Sequence, residues 1–205
     1  MEYPIIGVVG RRGFGKTAFM TAIGYDSHLE GYNVFSNYRL NFPHQFISLE
    51  ELGTLPSRVH DCVVLMDELH MGADAYDFLA KRTKGITKLI TQLRKRRVTF
   101  IYTTQYQEQI AKRLRAQTDY LIMMRPEGKG VFAAYVRDPH LPYEEQIINV
   151  IRRDLTPVFD LYDTNQIISA DDEEDDYEDP VERENLSAEI DDEMIELFKN
   201  LGAFC

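Results

Sequence analysis

The stretch GVVGRRGFGKTAFM, residues 7–20, constrains this chain more than any other. It sets Gly10, Gly15, Lys16 and Thr17 in the spacing G-x-x-x-x-G-K-T, straight after the apolar run Ile5–Val9. A helical pattern follows from Lys16 to about Leu29. A strand that enters a glycine-rich loop and leaves as a helix turns backbone N–H groups inward at the helix N-terminus, where negative charge is favoured. The segment Gly10, Arg11, Arg12, Gly13, Phe14, Gly15, Lys16, Thr17 and Ala18 is therefore expected to cradle the phosphates of a nucleotide. Lys16 would place a positive charge on the β- and γ-phosphates, and Thr17 would offer its hydroxyl to Mg²⁺.

A second apolar run, Val63-Val-Leu-Met66, ends in Asp67-Glu68. A carboxylate closing a buried strand suits Mg²⁺, so Asp67 joins Thr17 as an expected metal residue. Glu68, beside the metal's ligand, suits polarisation of an attacking water, which means hydrolysis rather than transfer to an acceptor. An acidic pair that caps the next helix is the plainer alternative. Thr103-Thr104-Gln105 closes a β-rich run, Val98–Thr104, and the Gln105 amide could touch both the lytic water and the γ-phosphate. His70 is a candidate relay of nucleotide state or a packed capping residue.

Between these pieces strands and helices alternate. Tyr32–Ser36 reads as a strand after a turn at Gly31, residues 73–96 as a helix with Gly85 as a break, and Tyr120–Met124 and Val131–Val136 as strands joined by a Pro-Gly turn. The expectation is an α/β fold with a mostly parallel central sheet covered on both faces. No run approaches ~18 apolar residues and no cleavable leader is recognisable, so a soluble intracellular chain is expected. Two cysteines, Cys62 and Cys205, make a poor disulfide framework and suit a reducing compartment.

Charge divides the 205 residues unevenly. Residues 171–205 hold fifteen acidic residues against Arg183 and Lys199, which leaves residues 1–170 with nineteen acidic and twenty-one basic residues, a net +2 within a total of −11. The acidity thus belongs to a tail. The expected organisation is a body over 1–170, a solvated, disordered acidic linker over 171–186, and a short amphipathic helix over 187–205 with Ser187 as its N-cap. Within the body, residues 81–115 carry eleven lysines and arginines against one acid, Glu108. Such a run suits nucleic-acid contact, arginines that reach into a neighbour's nucleotide, or simply a solvated helical face.

The phosphate-site motifs together resemble the additional-strand, catalytic-glutamate (RecA/FtsK-like) branch of P-loop ATPases. That resemblance implies a strand order in which the Gln105 strand lies between those carrying Lys16 and Glu68. Asp67-Glu68-Leu-His70, the Leu93–Arg97 run before the Thr-Thr-Gln strand, Lys112–Arg115 and Thr118-Asp119-Tyr120 are similar to the FtsK/HerA superfamily of DNA-pumping ATPases. Within it, residues 3–169 are most similar to genome-packaging ATPases of tailless, membrane-containing icosahedral viruses, and Zot-like ATPases of filamentous phages share the pattern.

The resemblance implies a homo-oligomeric ring, usually a hexamer, acting on double-stranded DNA with ATP and Mg²⁺. It also implies an arginine supplied by a neighbouring subunit, with Arg97 and then Arg94 ahead of Arg96, Arg113 and Arg115. A capsid or portal-vertex protein is the implied partner, and the host cytoplasm or the virion packaging vertex the implied location, without direct membrane insertion. Two other readings remain open at this point: a Zot-like phage assembly or export ATPase, and a slow nucleotide-dependent binding switch.

Overall fold

Strand β1 (Ile5–Val9) is buried at four of its five positions because it lies inside the sheet, with a parallel neighbour on each side. Its apolar residues need no polar alternation, since both faces are covered. The computed structural model describes residues 3–48, 51–52, 56–69 and 91–164. Among these residues the sheet has eight strands: β1, β2 (Asn33–Ser36), β3 (Gln45–Phe46), β4 (Cys62–Met66), β5 (Val98–Thr104), β6 (Tyr120–Pro126), β7 (Val131–Arg137) and β8 (Ile147–Asp154). Their spatial order is β3-β2-β4-β5-β1-β6-β7-β8. From β3 to β6 every pairing is parallel, and β7 and β8 extend the sheet as antiparallel strands.

β5 therefore lies between β4 and β1, the order implied by the likeness to the catalytic-glutamate branch. β4 and β5 are buried at every position, so the strand ends that carry Asp67 and Gln105 grow from the buried interior of the sheet. One core packs helix α1 (Lys16–Leu29) on one face through Phe19, Met20 and Ile23, against Val8, Leu65, Ile101 and Ile122. The second core, on the opposite face, gathers Ile5, Val64, Met66, Phe100 and Tyr102 with Leu93, Ile110 and Leu114.

Two strands were not expected from the sequence. β3 is only two residues long, and β8 exposes Ile147 and Ile148, so neither carries a buried alternating pattern. β2 begins at Asn33 rather than Tyr32. The helix expected over 73–96 is described only at its end, where residues 91–95 are helical. His70, the basic residues 81–90, the acidic linker and the helix expected over 187–205 lie outside the described residues. No helix among the described residues is long and apolar enough to cross a membrane.

After β8 the chain does not leave the sheet. A short 3₁₀ helix, Thr156–Leu161, carries it over α1 to the loop after β2. This strap is fastened at both ends. The Leu155 N–H donates to the Gly130 carbonyl at 2.9 Å, and the Asn41 N–H donates to the Leu161 carbonyl at 2.8 Å. The Asn41 side-chain amide also donates to the Asp160 carbonyl at 2.8 Å, and Tyr162 bridges to Leu40. Leu155, Val158 and Leu161 are buried in the α1-side core, three residues apart as the 3₁₀ period requires.

Candidate nucleotide-binding site

The glycine loop turns back on itself through left-handed backbone at Gly13 (φ 78°) and Gly15 (φ 74°), a region that residues with a Cβ enter only at a cost. At Gly15 there is a second constraint, because a Cβ there would stand 3.0 Å from the Phe132 ring. Gly15 is the N-cap of α1, so the helix begins at Lys16. Lys16 is only 7 % exposed, and its ammonium donates to the Arg11 carbonyl at 3.3 Å. Burial lowers its pKa, while the nearby charges of Asp67 and Glu68 oppose that shift.

Asp67 is held by four hydrogen bonds to three residues. Thr17 Oγ1 donates to Asp67 Oδ2 at 2.9 Å, and the Thr103 hydroxyl donates to Asp67 Oδ1. On the backbone, the Asp67 N–H donates to Asn37 Oδ1 at 2.7 Å and the Asn37 amide donates to the Asp67 carbonyl at 3.0 Å. Burial raises the Asp67 pKa, with the hydrogen bonds from Thr103 and Thr17 opposing it. A hydroxyl bonded to a fixed carboxylate is a hard oxygen pair of the kind Mg²⁺ takes alongside phosphate oxygens and water, so the residues present fit the ion.

Glu68 follows with φ 46°, an uncommon backbone state for a residue with a side chain. Its N–H donates to Thr103 Oγ1 at 2.9 Å, so one hydroxyl fixes both Asp67 and the turn at Glu68. The end of β5 is tied on both sides. The Leu69 N–H donates to the Thr103 carbonyl at 3.1 Å, and the Gly10 N–H donates to the Thr104 carbonyl at 3.4 Å. Gln105 is the next residue.

A cavity of about 650 Å³ opens at this end of the sheet. That volume is in the range of small-molecule sites. Arg12, Gly13, Gly15, Lys16, Thr17 and Ala18 line it, together with Asp67, Glu68 and Gln105. Gly10, Arg11 and Phe14 do not; Phe14 packs against the core instead. Sequence reasoning missed the remaining wall, made of Tyr38, Phe132, Phe159, Tyr162, Asp163 and Thr164. Tyr38 and Tyr162 meet edge to face at 6.2 Å, and burial together with the Asp67 charge pushes the Tyr162 phenol up to about 12. Asn37 was missed as well, and only its place directly after a strand could have hinted at it.

Arg94 and Arg97 stand elsewhere. They precede β5, at the opposite end of the sheet from the cavity, separated from it by a seven-residue strand of about 20 Å. Arg94 pairs with Asp119 at 2.8 Å, and Asp119 in turn accepts the Ile5 N–H. Arg97 pairs with Asp61, and both residues have left-handed backbone, φ 56° and 49°. Arg97 terminates the 91–95 helix, its N–H donating to the Arg94 carbonyl at 3.2 Å. Neither arginine reaches the cavity of its own chain.

No family model matches the sequence, and no curated protein matches it. Solved structures do match the fold. The N-terminal domain of zonular occludens toxin from Neisseria meningitidis superposes with a TM-score of 0.54 at 16 % identity, over 79 % of this chain and 100 % of that one. The genome packaging NTPase B204 from Sulfolobus turreted icosahedral virus 2, in complex with ATP-gammaS, gives 0.52 at 13 % identity, over 75 % and 98 %. The pCW3 conjugation coupling protein TcpA, with ATPgS, gives 0.51 at 14 %, over 75 % and 60 %. With its glycine loop, the Asp67 turn and the strand between them arranged as described, this chain has the α/β fold of the P-loop NTPases.

Proposed function

We propose that this chain is an ATP-driven translocase of double-stranded DNA that packages a viral genome into a preformed capsid. The observation that carries the reading is the convergence of Lys16, Thr17, Asp67, Glu68 and Gln105 on one cavity, from three adjacent strand ends. Mg²⁺ bound at Thr17 and Asp67 would neutralise charge on the β- and γ-phosphate oxygens. The Lys16 ammonium, already at the loop, exchanges its Arg11 carbonyl for phosphate oxygens. Glu68 accepts the proton of the water that attacks the γ-phosphorus as the bond to the bridging oxygen breaks. Gln105 holds that water and registers the loss of the γ-phosphate.

The wider assembly belongs to the same proposal. A ring of copies, a hexamer on the family resemblance, would bring arginines of one subunit to the cavity of the next, with Arg97 and Arg94 the candidates. Either would exchange its pairing with Asp61 or Asp119 for the neighbour's phosphate. The basic run 81–115 would face DNA, and a capsid or portal-vertex protein would hold the ring at the packaging vertex in the host cytoplasm.

A second reading, a Zot-like assembly or export ATPase, is favoured by the superposition that takes in the whole of the zonular occludens toxin domain. Steady-state ATP hydrolysis with and without long double-stranded DNA, beside Glu68→Gln, separates the two. The expected result is DNA-stimulated hydrolysis that falls by roughly 10²- to 10⁴-fold in the variant while ATP still binds. Hydrolysis indifferent to DNA transfers support to the export reading. Equal ATP binding with no hydrolysis by either protein would replace both with a binding switch.

A further inference from the structure

The phosphate-binding part of the cavity comes from the ends of β1, β4 and β5, and the remaining wall comes from Tyr38 after β2, Phe132 of β7 and the strap. That wall differs in chemistry. In the strap, Leu155, Val158 and Leu161 occupy one side of the 3₁₀ turn and are buried against α1. Phe159 falls off that side, 36 % exposed, and its ring lines the same cavity as Lys16, Thr17 and Ala18. Phe132, from β7, closes over Gly15 at the loop. A triphosphate gripped by the loop, with its γ end toward Glu68 and Gln105, must direct its nucleoside away from β4 and β5. An unburied aromatic ring at that place offers a π-face to a planar, weakly hydrated base.

We infer that Phe159 is the nucleobase-stacking residue of this site, and that the strap from Leu155 to Thr164 is the element by which the chain binds a nucleoside triphosphate rather than a bare polyphosphate. This rests on the proposed reading of the cavity as a nucleotide site. Stacking of this kind recognises the flat face common to all bases, so Phe159 contributes affinity for the nucleoside and little choice among bases. The strap is anchored at both ends by the backbone bonds to Gly130 and Asn41, so the ring is presented by a fixed frame rather than by a loop that must order on binding.

The test compares Mg²⁺-ATP with Mg²⁺-tripolyphosphate by calorimetric titration of the full chain. Phe159→Ala is expected to weaken ATP by roughly 10-fold and leave tripolyphosphate unchanged. Because the sequence contains no tryptophan, Phe159→Trp installs a unique fluorophore. Its emission is expected to quench with ATP and with GTP but not with tripolyphosphate, with ATP affinity retained. ATP affinity that Phe159→Ala leaves unchanged overturns the inference, and so does an equal loss for both ligands, which would mark a distorted loop. A wild-type chain that binds neither ligand instead overturns the nucleotide-site reading on which the inference stands.

Discussion

Asp26 shows how much a single residue can set against the fold. It lies on α1, fully buried, and neither carboxyl oxygen has a hydrogen-bond partner among the described residues. Burial raises its pKa to about 7, with the charge of Arg153 opposing the shift and that of Glu30 adding to it. In the unfolded chain the group titrates near 3.8. The folded chain therefore keeps a proton that the unfolded chain has lost, so the stability tied to Asp26 is complete below about pH 4 and falls as the pH rises toward 7. The full span corresponds to about 4 kcal/mol, from ~1.4 kcal/mol per pKa unit. Asp26→Asn keeps the shape and removes the titration. In urea unfolding, the variant should gain on the wild type by about 2–4 kcal/mol at pH 8 and by much less at pH 4.5. A gain that does not vary with pH would mean that Asp26 does not titrate in this window.

The glycine loop and the acidic pair at the cavity were legible at the same scale because their signals are local. Gly10 to Thr17 is a contiguous loop, and Asp67-Glu68 follows an apolar strand directly. Asn37 and Thr103, which hold Asp67, were not assigned that work, since each acts on a residue 30 or 36 positions away. Nothing within a few residues of Asn37 marks it as anything but a turn residue.

At the scale of elements, the pairing of β1 with β5 is a fit of small against large. Gly7 is the Cα partner of Tyr102, and a Cβ on Gly7 would stand 2.7 Å from the Tyr102 hydroxyl oxygen and 3.2 Å from Leu121 Cδ1. That hydroxyl is bonded to Thr118 Oγ1 at 2.8 Å, so the ring cannot withdraw without breaking a buried hydrogen bond. Gly7→Ala is expected to lower the unfolding free energy by about 1–3 kcal/mol. An unchanged thermal midpoint would show that the ring relocates freely. Strand type was readable here because β1 and β4 are short apolar runs and β5 is rich in β-branched and aromatic residues, whereas the strand order was implied only by the family resemblance. β8 was not, because an edge strand with polar and exposed positions offers no buried period to detect. The strap was missed for a related reason: the segment Leu155–Thr164 has no motif, and what places it is contact with α1 and the β2 loop more than 100 residues away.

Across the whole molecule, charge is the property most unevenly distributed. The described part of the basic run, Arg94 to Arg97 and Lys112 to Arg115, belongs to a body of net +2, while residues 171–205 carry net −13. Deleting residues 171–205 removes none of the described residues of the loop, the strap or the sheet. Because binding to a polyanion is driven by released counterions, the shortened chain should bind double-stranded DNA more tightly, on the order of 10-fold at about 50 mM salt, with a steeper salt dependence. Filter or fluorescence binding across a salt series measures both. Affinity equal to that of the full chain would show that the tail does not shield the basic residues.

The bonds at the end of β5 bear on how such a molecule can move. Thr103 and Thr104 fasten the Asp67 turn on one side and the glycine loop on the other, through adjacent peptide groups. Lys16, Asp67 and Gln105 thus behave as three teeth on a single jaw, whose spacing is set by the ladder and cannot widen without tearing it. Departure of a γ-phosphate would leave that jaw closed, so on the proposed reading a response to hydrolysis has to arise beyond it, through the Gln105 side chain or in the next copy that presses against it.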